Sequence, residues 1–94
     1  MPVVGLLSIE LHLPGLRSLK EKRSVLRSLK DRLRKLNVAI AEVDHQDLWQ
    51  RARLAVVAVS ATRDGVDRSL EAAVGEIDRQ DPGLIVNTAI DWLS

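Results

Sequence analysis

The sequence contains no cysteine, phenylalanine or tyrosine, and its only aromatic side chains are two tryptophans. Without cysteine the chain forms neither a disulfide nor a thiolate metal site, although this count does not settle the compartment. A core built without Phe or Tyr must be aliphatic. No apolar run approaches the roughly 20 residues that a helix needs to cross a bilayer.

The pattern of the 94 residues predicts neither a signal peptide nor a second domain. The first residues carry no basic segment, and Glu10 and His12 interrupt their apolar part, which is not typical of a signal peptide. No linker or low-complexity stretch divides the chain. We therefore expect one domain over residues 1–94, with a modest core and a cytoplasmic location.

Positive charge is concentrated in residues 17–35. This segment holds nine of the fourteen Lys and Arg residues against two acidic residues, an excess of seven positive charges. The rest of the chain holds five basic and eleven acidic residues, an excess of six negative charges. The net charge of +1 hides this polarity, which indicates a polyanionic partner for the basic segment.

The same segment predicts one amphipathic helix between Leu13 and Leu36. Ser18 followed by Glu21 is typical of a capping box at its start. An apolar stripe recurs at helical spacing over an arc of about 120°, and it consists of Leu19, Leu26, Leu29, Leu33 and Leu36. Lys22 falls inside this arc near the helix start, and we expect its long stem to carry the charge out to solvent.

Alternating apolar residues predict four strands, at residues 3–13, 37–44, 54–61 and 84–93, and a second helix at residues 62–81. The order β-α-β-β-α-β, with right-handed crossovers, favours a ferredoxin-like α+β fold. In this fold a four-stranded antiparallel sheet of order 4-1-3-2 carries both helices on one face. Residues 45–52 contain no Gly or Pro, and we expect a helical turn there with Trp49 packed on the sheet.

Two segments resemble the YlxP-like family of small bacterial proteins, namely SLKEKRSVLRSLKDRLRKL and NVAIAEVDHQDLWQRARLAVVAVS. The likeness covers nearly the whole chain and implies the ferredoxin-like fold. It also implies a bacterial cytosolic protein whose gene commonly lies among those for translation-initiation and ribosome-maturation factors. It brings no activity or catalytic residue, because that family is functionally uncharacterised. Leu36 departs from the aromatic residue expected there, which should change packing rather than function.

Clustered positive charge on the first helix favours binding to RNA or the ribosome, with a role in translation or ribosome maturation. Like charges four residues apart destabilise a helix, so their clustering without interleaved acids is more than a solvated face requires. The predicted nucleic-acid-binding residues are Arg17, Lys20, Arg23, Arg27, Lys30 and Arg34. Because Phe and Tyr are absent, we expect contacts to phosphates rather than bases stacked on the sheet.

One group of residues resembles a metal or acid–base site, namely Glu10, His12, Glu42 and Asp44. In the predicted sheet the third strand separates Glu10 from Glu42, which places their backbones about 10 Å apart. This distance exceeds what short ligand bonds to one ion allow. We therefore expect no metal, no cofactor and no catalytic residue, and a protein that is not an enzyme.

The sheet face opposite the helices is expected to expose apolar side chains and to form a homodimer interface. The residues assigned to this interface are Val4, Leu6, Ile40, Ile85 and Ala89. An alternative function follows from the same surface, namely a dimeric module that binds a small molecule or regulates a partner without nucleic acid. Fold alone does not decide between these functions.

Overall fold

The computed structural model describes residues 1–94 and has six elements in the predicted order. They are β1 (Val3–His12), α1 (Leu19–Leu33), β2 (Ala39–Asp44), β3 (Arg51–Ser60), α2 (Arg63–Gln80) and β4 (Ile85–Trp92). The sheet order is β2-β3-β1-β4, and all neighbouring strands are antiparallel. The predicted ferredoxin-like fold is therefore confirmed. Neither helix is both long and apolar enough to cross a membrane.

The core lies between the helices and one face of the sheet. Alternate residues of β1 and β3 are buried there, and the register sets Leu7 opposite Val56 and Ile9 opposite Leu54. All sixteen buried residues of the core cluster are Leu, Ile, Val or Ala. This confirms the expectation of an aliphatic core, which follows directly from the missing Phe and Tyr.

The second face of the sheet, here called the open face, carries no helix. Val4 lies opposite Val59 and Leu6 opposite Val57, so that apolar side chains occupy one end of it. Ala89, opposite Ser8, also lies on this face. Three of the five predicted interface residues, Val4, Leu6 and Ala89, are therefore on the open face.

The placement of Ile40 and Ile85 on the open face is wrong. Ile40 pairs with the buried Val56, and Ile85 pairs with Leu11, so both pack against the core on the helix side. For Ile85 the cause is a register shift next to Leu11. One extra residue in a strand moves the side chains of the residues beyond it to the other face of the sheet. For Ile40 the cause is that both sides of its strand are partly apolar, so alternation did not show which side faces the helices.

The connection between β2 and β3 is a turn and not a helix. The Leu48 N–H donates to the His45 carbonyl at 3.0 Å, and β3 begins at Arg51, earlier than predicted. Trp49 is 48% exposed in this connection and is not packed on the sheet. The expected helical turn with a packed Trp49 is therefore wrong.

Candidate functional site

The start of α1 is fixed by two side chains. The Ser18 hydroxyl accepts a hydrogen bond from the Glu21 N–H at 3.1 Å, as a helix cap does. The Glu21 carboxylate reaches back one residue further than a capping box predicts and accepts from the Arg17 N–H at 2.7 Å. The cap fixes where α1 begins, and burial of Leu26, Leu29 and Leu33 fixes its rotation and hence the direction in which its basic stripe points.

A cleft of about 420 Å³ runs between α1 and the end of β2, and it is here called the basic groove. Its lining consists of Leu19, Lys22, Arg23, Leu26, Arg27, Lys30, Arg34, Glu42 and Gln46. Four of the six predicted nucleic-acid-binding residues line it together. The other two, Arg17 and Lys20, are exposed at the helix start and outside the groove.

Lys22 lies at the floor of the basic groove and is only 2% exposed. Its Nζ donates to the His45 carbonyl at 2.5 Å and lies 2.9 Å from Glu42 Oε2. The Glu42 contact is an ion pair without the angles of a hydrogen bond. A buried ammonium group needs such partners, because burial without them is strongly unfavourable. The expectation that Lys22 reaches solvent is therefore wrong.

The cations on the wall of the groove are largely free of carboxylates. Arg23, Arg27 and Lys30 form no ion pair, and Arg34 pairs with Asp31 at 2.9 Å. At 1.5 Å per residue the stripe from residue 23 to residue 34 extends about 16 Å along the helix. The one carboxylate in the lining is held by Lys22, so the groove presents positive charge over its whole length.

A second charged cluster lies on the open face, around the buried carboxylate of Glu10. Arg53 Nε donates to Glu10 Oε1 at 2.5 Å, and His45 Nε2 shares a hydrogen bond with the same oxygen at 3.3 Å. Arg51 lies 3.5 Å from the other oxygen. Burial raises the pKa of Glu10, but the hydrogen bonds and charges of Arg53 and His45 outweigh it and hold that pKa below its usual 4.5.

The four residues of the predicted metal or acid–base group do not come together. Glu42 pairs with Leu54 and points to the helix side, where it meets Lys22. Glu10 and Asp44 lie on the open face beside Arg53. His12 is exposed at the end of its strand. The two glutamates are therefore on opposite faces of the sheet.

His45 connects the basic groove to the Glu10 cluster. Its carbonyl accepts from Lys22 in the groove, while its imidazole meets Glu10 on the other side of the sheet. Its backbone has a positive φ of 63°, which few residues other than glycine adopt. The Asp44 carboxylate accepts from the His45 N–H at 2.8 Å, and this hydrogen bond is the main cause of the lowered pKa of Asp44.

The residues that line the groove lie within the part of the chain that matches a known protein family. Residues 4–90 match a family described as "Protein of unknown function (DUF503)". The chain belongs to the DUF503 family. It is similar to "Uncharacterized protein YlxP" of Bacillus subtilis (strain 168), with 42% identity over 62 residues, which is 65% of this chain and 67% of that protein. The predicted resemblance is confirmed, and it assigns this DUF503 chain no activity.

The sequence pattern did not predict the surroundings of three residues of this DUF503 protein, namely Lys22 at the groove floor, His45 and Trp49. The helical pattern predicts a solvent-exposed Lys22 and carries no signal for the contacts of His45. The predicted packing of Trp49 does not occur, because Trp49 is exposed in the segment that follows the turn beginning at His45. The repeated charge at positions 42, 44, 51 and 53 was a signal for cross-strand ion pairs, since these positions flank one hairpin.

Proposed function

We propose that this DUF503 protein binds RNA, free or within the ribosome, through the basic groove. The observation that supports the proposal is the row of four cations along about 16 Å of α1, three of them without a carboxylate partner. Such a row matches the repeated charge of a phosphate backbone. The gene context implied by the YlxP-like resemblance supports a cytoplasmic role in translation or ribosome maturation.

Lys22 and Glu42 contribute to binding indirectly. Left unpaired, the Glu42 carboxylate in the groove lining would repel a phosphate. Because Lys22 lies 2.9 Å away and is buried, it neutralises Glu42 without occupying the cleft. The cations of the wall thus remain available to the ligand.

The proposed mechanism is counterion release by a binding protein and not catalysis. Up to four phosphates contact Arg23, Arg27, Lys30 and Arg34, so the logarithm of affinity should fall with the logarithm of salt concentration with a slope of roughly −2 to −3. These contacts alone carry little sequence information. A dimeric module without nucleic acid is the alternative, and the apolar end of the open face favours it.

The test is charge reversal inside and outside the groove. We expect the double variant Arg23→Glu/Arg27→Glu to weaken binding of labelled single-stranded RNA by at least about tenfold at about 50 mM salt, measured by fluorescence anisotropy. Both side chains are exposed, so the melting temperature should hardly change.

The matched control is Arg32→Glu/Lys35→Glu, which makes the same charge change in the same segment but outside the groove lining. It should weaken binding much less. Equal losses in the two double variants would show diffuse attraction to the segment and contradict a groove site. If the unaltered protein has no affinity at about 50 mM salt, the RNA proposal is wrong and the dimeric module becomes the better reading.

A further inference from the structure

Trp49 is an exposed aromatic side chain in a molecule whose core is entirely aliphatic. Its indole is 48% exposed, and the neighbouring Leu48 is 43% exposed. The other tryptophan, Trp92, is half-buried and lies under the Arg63 guanidinium, 4.0 Å from the ring centroid. Burial of a large apolar side chain is favourable, so a ligand that covered the adjacent Leu48 and Trp49 would gain binding free energy from them.

The position of Trp49 is tied to the basic groove through one carbonyl. The His45 carbonyl accepts both from Lys22 Nζ at the groove floor and from the Leu48 N–H that closes the turn. Gln46, inside this turn, lines the groove. Trp49 follows three residues later, which limits its Cα to within about 11 Å of the Gln46 Cα.

The turn that carries Trp49 is held from both sides of the sheet. His45 contacts Glu10 through its ring and Asp44 through its N–H. Arg51, two residues beyond Trp49, begins β3 and pairs with Glu10. Because both ends of this short connection are fixed, the backbone that carries Trp49 has little freedom to lose, which lowers the entropic cost of binding.

We propose that Trp49 stacks on a nucleobase of a single-stranded RNA whose phosphates lie in the basic groove. This inference rests on the proposed function and adds a base contact and a strand type to it. A base in a duplex has its faces covered by its neighbours, whereas a base in a single strand can stack on an aromatic ring. Stacking is tolerant of sequence, because every base has a π-face.

The phosphate contacts and the stack have different ligand requirements, which allows them to be tested apart. The first probe is a short single-stranded oligouridylate, and the second is inorganic polyphosphate, which has charge but no base. We expect Trp49→Ala to weaken oligouridylate binding about 5- to 100-fold, the range that one base–aromatic stack provides. Polyphosphate binding should be unchanged, and Trp49→Phe should restore most of the oligouridylate affinity.

Tryptophan emission gives a second readout. Oligouridylate should quench the emission of the unaltered protein, and this quenching should disappear in Trp49→Ala. Circular dichroism checks that each variant is folded. A duplex RNA of the same sequence class should bind less tightly than the single strand, since its bases are not available.

Each remaining outcome has a definite meaning. If Trp49→Ala binds oligouridylate like the unaltered protein, the stack is wrong while the groove proposal stands. If Trp49→Ala loses polyphosphate as well, Trp49 supports the groove rather than a base, and the inference is wrong. If duplex and single strand bind equally, the strand type is wrong. If the unaltered protein binds neither probe, the proposed function fails together with the inference, and the exposed Leu48–Trp49 pair is better read as a protein contact.

Discussion

Lys22 shows how a single residue holds a helix, a strand and the turn after that strand together. Its ammonium group joins α1 to Glu42 of β2 and to the carbonyl that opens the following turn. A buried ion pair is roughly neutral in free energy when compared with a well-packed apolar pair. Removing one partner is different, because the remaining charge stays buried without compensation.

We therefore expect Lys22→Met to lower the free energy of unfolding by about 3 kcal/mol. The double variant Lys22→Met/Glu42→Leu should recover most of this loss, because it removes both charges and keeps the volume. Urea denaturation of the two variants measures the difference. A single variant as stable as the unaltered protein would show that Glu42 is solvated and that the pair is not a buried one.

Glu10 makes stability depend on pH. Its pKa in the folded protein is below the usual 4.5, since the hydrogen bonds and charges of Arg53 and His45 outweigh the opposing effect of burial. A carboxyl group with a lowered pKa in the folded protein stabilises the fold at pH values above its pKa in the unfolded chain. This stabilisation is lost as the pH falls through its pKa in the folded protein. The window for Glu10 is therefore acidic, at pH 4.5 and below.

Replacement of Glu10 by Gln should remove that part of the acid dependence. We expect the free energy of unfolding of Glu10→Gln to fall less steeply than that of the unaltered protein as the pH decreases below about 4.5. Glu71→Gln is the control, because Glu71 is exposed on α2 and forms no ion pair. Parallel acid curves for Glu10→Gln and the unaltered protein would contradict the role given to this carboxylate.

Sequence alone could predict the wall of the groove but not its floor. Helical spacing fixes which residues share a helix face, so the stripe from Arg23 to Arg34 follows from the sequence. The partners of Lys22 and Glu10 depend on which side of a neighbouring strand faces the helices. That side is decided by packing between elements and not by spacing within one.

At the scale of elements, the periodicity of the sequence predicts where the strands and helices lie, but it does not predict the register in which the strands pair. All four strands and both helices formed where alternation or helical spacing predicted them, with shifts of one to three residues at most ends. The sequence pattern did not predict the irregular pairings between strands. A register shift separates Glu10 from Leu11 in the pairing with β4, and another separates Glu42 from Asp44 in the pairing with β3.

One of these register shifts helps to shape the candidate site. It lies in β2, between the residue that meets Lys22 on the helix side and the residue that meets Arg53 on the open face. Regular alternation would have put Glu42 and Asp44 on the same side of the sheet. The bulge therefore places one carboxylate of β2 in the groove and the other in the Glu10 cluster.

For the whole molecule, the open face is the surface that remains without a partner. Its apolar end centres on the paired Leu6 and Val57, with Val4 and Val59 beside them. Each aliphatic side chain that becomes buried contributes about 1.5–3 kcal/mol before the costs of association. In a two-fold dimer formed through this end, both copies of each side chain would be buried. Both basic grooves would lie outside the interface.

We expect the protein to be a homodimer through this face and Leu6→Glu to convert it to a monomer, measured by analytical ultracentrifugation. Ile90→Glu is the matched control, because Ile90 is also a partly exposed aliphatic residue of the sheet but pairs with Leu7 on the helix side. It should leave the mass unchanged. An unaltered protein that stays monomeric at high micromolar concentration would contradict the dimer.

The separation of charge described for the sequence determines what an approaching ligand experiences. Seven of the eleven acidic residues outside the basic segment follow Ser60, on α2, β4 and the chain around them. Five of these seven lie on α2, where Asp64 pairs with Arg68 and Glu76 pairs with Arg79. The Debye length at physiological ionic strength is about 8 Å. Charges farther than this from the groove contribute little to its potential, so a nucleic acid there responds mainly to the neighbouring cations of α1 and not to the net charge of the whole chain.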